Sequence, residues 1–204
     1  RLSEATFQSA FSRLVTDPAF RDRIRTCGPA ALSSADIDLD DDEISHLVAL
    51  ARMPGLDVMR KLHKGFRMNK LLSMLPLTCR LLGTTRLVRE AGAFWRSRPA
   101  SSFYYLEEAE AFASLLDRRR REGLRVPYLG DILAYEQAAM QLRKPRPPEE
   151  ATPRVEVELR HNPAQLLQAL ARGERPRRIQ RLRAGLIGEL DETGEPRWSL
   201  ATQE

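Results

Sequence analysis

Glu136 sits inside YLGDILAYEQAAM (128–140), where Leu129, Ile132, Leu133 and Met140 fall on one face at helical spacing. A carboxylate among apolar neighbours is costly unless something pairs with it. Two chemistries would justify it: acid/base work in a cleft, or a buried carboxylate–guanidinium pair that fixes how two helices meet. Arg67, Arg80 and Arg98 lie on neighbouring predicted helices, and Arg143 is nearly on Glu136's own face. With that supply of guanidinium, the structural pair is the better expectation.

Other reactive types are sparse. His46, His63 and His161 fall on different predicted elements, with no HExxH and no His/carboxylate pair four residues apart. His63 stands among lysines and arginines, where a cation would be disfavoured. Cys27 and Cys79 are far apart, which suits a reducing cytoplasm better than a disulfide framework. Cys79, within LPLTCRLLG, reads as a small buried hydrophobe. No Gly-rich loop follows a strand, no GxSxG elbow occurs, and no paired carboxylates suggest acid/base catalysis. Chemistry alone therefore points to a chain that does not catalyse by itself.

The elements that must position these residues are mainly helical. Ser3 is placed to cap a first helix carrying Phe7, Ala10, Phe11, Leu14 and Val15 at i, i+3, i+4 spacing. Asp17-Pro18 starts a second helix that Gly28-Pro29 closes. The run DIDLDDDE (36–43) lacks the Gly and spaced Glu of an EF-hand, so Asp40 to Glu43 are expected to cap EISHLVALAR. After Met53-Pro54-Gly55 comes a long helix with Leu56, Met59, Leu62 and Phe66 in register. Pro76 restarts a helix that Gly83 closes, and 85–96 form another. Ser101 or Ser102 should cap FYYLEEAEAFASLLDRRRREG, whose early acids and late arginines match the helix dipole. The Glu136 helix is the last of this set, running to about Arg143.

KPRPPEEATP (144–153) carries four prolines and reads as a linker. Beyond it VEVELR alternates as a strand, Asn162-Pro163 opens a helix, RLRAGLIGEL is a second strand, DETGE a turn and PRWSLA a third strand. The expected fold class is α+β: a helical domain over 1–144, a Pro-rich linker over 145–153, and a small β-α-β-β domain over 154–204. At about 50 residues that tail needs support from the helices or from a partner.

Charge is uneven. Residues 1–50 hold five Arg against nine Asp/Glu, a net of −4; residues 51–144 hold 18 Lys/Arg against nine acids, a net of +9. A basic middle suits an acidic partner, nucleic acid or peptide, or is simply a solvated helical surface. No apolar run approaches the roughly 18–20 residues that span a bilayer, so no membrane partner is expected. The sequence opens on Arg1, and its first residues show no charged leader ahead of an apolar block.

Three segments in order, LPLTCRLLG (75–83), AFWRSRPASS (93–102) and YLGDILAYEQAAM, resemble a bacterial family that often carries a DNA-binding label. Its pattern is F/L-P-x-L-x-x-L-L-G, then H/R-P-x-S, then Y-L-x-D-x-x-x-x-E. Here these are Leu75-Pro76 to Gly83, Arg98-Pro99 with Ser101 and Ser102, and Tyr128-Leu129-Gly130-Asp131 to Glu136. Its members are accessory partners of multinuclear non-haem iron oxidative enzymes acting on ribosomally made peptides, the MbnC-type proteins of methanobactin biosynthesis among them. The resemblance covers roughly residues 56–143, with a compatible C-terminal sheet; Asp131, Glu136, Arg80 and Arg98, which fall within it, are expected to be structural residues. It implies a heterodimer with the iron oxidase and a grip on the precursor's leader peptide. The iron would then belong to the partner enzyme and no cofactor to this chain; the reaction in the methanobactin case converts precursor cysteines to oxazolone and thioamide groups. An extended leader could add as a strand at an exposed sheet edge, on RLRAGLIGEL (Leu186, Ile187) or VEVELR (Val155, Val157), with Arg181 and Arg183 selecting an acidic leader. The rival is a DNA-binding regulatory protein, against which no compact helix-turn-helix signature is found.

Overall fold

A computed structural model describes residues 2–33, 37–98, 105–147 and 153–201, with side chains in the first helix from Ala5 onward. It is an α+β chain of helices followed by a three-stranded antiparallel sheet. Contacts divide it into two compact units, one of residues 1–68 and 95–101, the other of 69–94 and 102–204.

In the first unit, helices α1 (Leu2–Thr16), α2 (Pro18–Cys27), α3 (Ala30–Ser33) and α4 (Asp41–Arg52) enclose Leu14, Phe20, Ile24, Leu32, Leu47, Ala51 and Leu56. Phe7, Phe11 and Val15 pack against that core, as the spacing in α1 predicts. Asp17 Oδ1 accepts the Ala19 and Phe20 N–H groups at 2.9 and 3.1 Å and so starts α2. Asp40 and Glu43 form a reciprocal capping box on α4, so the acidic run does cap a helix. Arg21 is 3% exposed; its Nε donates to the Ala51 carbonyl at 3.0 Å, and its Nη atoms hold Asp57. The guanidinium thus satisfies a C-terminal carbonyl of α4 and clamps the first turn of α5 (Pro54–Met74).

The register of α5 differs from its sequence reading in outcome. Leu56 is buried, but Met59, Leu62 and Phe66 are exposed, Leu62 to 68%. Arg67, Lys70 and Leu71 take the buried positions instead. Arg67 lies over the Trp95 ring at 5.3 Å and donates to the Arg98 carbonyl at 3.2 Å.

The second unit holds the end of α5, most of α6 (Pro76–Ser97), α7 (Tyr105–Arg121), α8 (Leu129–Leu142), β1 (Arg154–His161), α9 (Pro163–Ala171), β2 (Arg181–Leu190) and β3 (Pro196–Leu200). Gly83, at φ 69° and ψ 163°, breaks α6 into two pieces, as the sequence suggests. The Ser101/Ser102 cap and residues 148–152 of the linker lie outside the described residues, as does the Ser3 side chain.

The sheet order is β1-β2-β3. Val157 pairs with Leu186, and Gly188 with both Val155 and Trp198. One face packs on α8: Val157, Leu159 and Leu186 are buried with Ala138, while Tyr135 meets Trp198 at 4.7 Å. The hairpin turn is built on Asp191 Oδ1, which accepts Thr193 N–H (2.8 Å), Thr193 Oγ1–H (2.6 Å) and Glu195 N–H (3.0 Å). Those bonds hold the Asp191 carboxyl below its usual range.

Candidate functional site

Glu136 is buried at 3% exposure, and its partner is not an arginine. Oε1 accepts the Leu77 N–H at 2.7 Å and Oε2 the Thr78 N–H at 3.0 Å. The carboxylate therefore caps the first turn of α6 from α8, where Pro76 has placed a helix start with orphan donors. Burial pushes its pKa up to about 7 against the lowering pull of those hydrogen bonds. The expected guanidinium pair is thus replaced by backbone amides. Arg80 Nη1 instead donates to the Leu170 and Ala171 carbonyls at 2.9 and 3.0 Å and closes the C-terminus of α9. Arg143 pairs with Glu195 at 2.6 Å. Arg98 has an exposed side chain and contributes its carbonyl to Arg67. Cys79 is buried; burial first, then the Glu136 charge, pushes its thiol up to about 12. An inert hydrophobe is the right description of it.

At the start of α8, Tyr128 adopts a left-handed conformation (φ 64°). That turn brings Tyr128 and Asp131 against the end of β1. Asp131, 7% exposed, accepts at Oδ2 the backbone N–H groups of Arg160 (3.1 Å) and His161 (3.0 Å) and lies 2.8 Å from His161 Nδ1. The Tyr128 ring stands edge-on to His161, with centroids 4.9 Å apart, and its hydroxyl accepts the Ile179 N–H at 3.2 Å. Asp131 thus ties the start of α8 to the end of β1, and its partner His161 is one that no sequence motif singles out. The alternation of VEVELRH marks the strand, but only the fold reveals that its last residue meets the Y-L-x-D turn.

A cleft of about 560 Å³ opens beside this knot. It is lined from β1 by Glu158, Arg160 and His161, from α8 by Asp131 and Ala134, and from the connecting segment by Arg125 and Tyr128. No residue of β2 lines it. From β1 it takes only the last residues of the strand, where Asp131 already holds the Arg160 and His161 backbone N–H groups.

The six residues expected at the peptide-binding edge separate. Val155 and Val157 are on β1, an outer strand, but their side chains turn toward α8. Leu186 and Ile187 are on β2, the central strand, hydrogen-bonded on both sides; Leu186 is core. The β2 edge is therefore ruled out at those residues. Arg181 and Arg183 are exposed and, with Arg160, line a shallow hollow of about 400 Å³. Arg183 already holds Glu158 across the strands at 2.8 Å.

Among the described residues no group of three or more His, Cys, Asp or Glu side chains is placed to hold a metal ion, and no helix is long and apolar enough to cross a membrane. Comparison with protein-family models finds no match, and comparison with curated proteins finds none either.

Proposed function

We propose that this chain is a non-catalytic partner subunit of an iron-dependent peptide-modifying oxidase, and that it holds the leader of a ribosomally made precursor as a strand added to β1. One observation carries the reading: β1 is an outer strand with a walled cleft at its C-terminal end, so a strand added before Arg160, whose own N–H is held by Asp131, would run toward that cleft. Backbone groups along such an edge supply affinity without demanding a sequence, and the cleft supplies selection. The motif order around Pro76, Arg98 and Glu136 supports the family side of the proposal, in which iron belongs to the enzyme and the chain works in the cytoplasm. In that setting its share is substrate presentation, as in conversion of cysteines to oxazolone and thioamide groups in methanobactin assembly.

The test is co-expression with the neighbouring iron oxidase and precursor, followed by pull-down, peptide mass and amide hydrogen exchange. A co-purifying pair that changes the precursor's mass is expected, with neither protein sufficient alone. Leader peptide should slow exchange at β1 amides more than at β2, whose amides are already paired. Failure to associate, together with duplex DNA binding that falls steeply with salt, would replace this reading by the DNA-binding one.

A further inference from the structure

We propose that the cleft beside β1 takes a carboxylate from an extended peptide, with the Arg160 and Arg125 guanidinium groups as its donors. The proposal rests on the strand-addition reading above and names what that strand must carry. Arg125 and Arg160 are exposed on the cleft wall and, among the described residues, form no ion pair. The acids that share the cleft are already engaged. Asp131 Oδ2 gathers two backbone N–H groups and His161 Nδ1, and Glu158 is held by Arg183 at 2.8 Å.

His161 is fixed in two directions, by Asp131 at Nδ1 and by the Tyr128 ring edge-on. With Nδ1–H given to Asp131, Nε2 is an acceptor, so the ring, which lines the cleft and is 24% exposed, stands beside the carboxylate as a fixed wall and not as a donor. A planar guanidinium matches a carboxylate's two oxygens with two parallel N–H groups. Asp131 and Glu158 on the same walls disfavour a doubly charged phosphate more than a singly charged carboxylate. Side chains of an added strand alternate, so only one register brings an Asp or Glu to the Arg160 end of β1. The selecting arginines are therefore at the cleft, rather than Arg181 and Arg183 alone.

Random dodecapeptides displayed on phage, panned against the full chain and against its Arg160→Gln variant, provide the test. That variant keeps the backbone N–H that Asp131 accepts, and Arg125→Gln gives an independent second variant. Enriched peptides should alternate apolar residues and carry Asp or Glu at one fixed place. Replacing that acid by its amide should weaken binding to the native chain about tenfold, and either variant should erase the difference. Enrichment without a fixed acid overturns the carboxylate site and leaves strand addition standing. Propionate alone, a single carboxylate, followed by the His161 ring ¹⁵N resonances, separates the converse case: shifts without any enriched peptide retain the carboxylate site and remove strand addition. No shift and no enrichment overturn both.

Discussion

Glu136 shows how far a single letter can be read. Its burial was legible in the 128–140 periodicity, because apolar neighbours at i−4, i−3 and i+4 leave a side chain nowhere else to go. Its partner was not, because backbone N–H groups carry no residue identity and any arginine looks as suitable. The Pro76 helix start was the available signal, since its first donors need an acceptor. Removing the carboxylate should strand two buried N–H groups, so Glu136→Ala is expected to cost about 3 kcal/mol in urea unfolding at pH 6. The group's folded pKa, about 7, lies above its ordinary 4.5, so the folded state holds the proton more tightly than the unfolded chain does. Its contribution to stability is therefore full below pH 4.5 and falls away as pH rises to about 7, by an amount on the order of 3 kcal/mol. Urea midpoints taken from pH 4 to 8 should show this slope in the native chain, and Glu136→Gln should flatten it. At Arg21 the expectation is milder: Arg21→Met loses the Ala51 carbonyl bond but leaves Asp57 half-exposed to water, for a cost of about 1–2 kcal/mol.

At the level of elements, existence and type were legible and placement was less so. Helix caps at Asp17, Asp40 and Asn162, the Gly83 break and the Asp191 turn are local chemistry, written within a few residues and recovered by reading them. Strand order is not local. Alternation marks VEVELR and RLRAGLIGEL equally well as strands, and only the pairing of β2 with both β1 and β3 makes one an edge and the other a centre. Close packing does leave a trace in composition, however. A Cβ at Gly188 would stand 2.7 Å from Trp198 Cζ3 and 3.0 Å from Leu142 Cδ1, between the sheet and α8. Gly188→Ala should therefore force the indole or the helix aside, lowering stability by about 1–3 kcal/mol by thermal or chemical unfolding. Arg80→Met should cost less, about 1 kcal/mol, by freeing the last carbonyls of α9.

Across the whole molecule, the expected α+β class matches what is found, and the small sheet has the helical support its size demands, through α8. The two compact units do not follow the order of the chain: α5 and α6 each contribute to both, so the Pro-rich stretch before β1 is not where the contacts divide. Charge segregation was readable from counts alone, and it bears on encounter rather than fold. Non-specific association with polyanions such as heparin is expected at low ionic strength and should weaken steeply by physiological salt, as measured by elution from a column. Edge binding of peptide through backbone hydrogen bonds should change far less over the same range.

The outward stripe of α5 and the residue just before it include two thioethers, Met53 and Met59, which are 54% and 47% exposed, whereas Met140 is 1% exposed. Peroxide reaches sulfur by accessibility, so brief treatment should convert Met53 and Met59 to sulfoxide well before Met140, as read by peptide mass. A chain stationed beside an oxygen-using enzyme would carry that vulnerability on its own surface. The rate at which those two sulfurs oxidise, alone and in company, then becomes a chemical record of whether another protein shelters this helix.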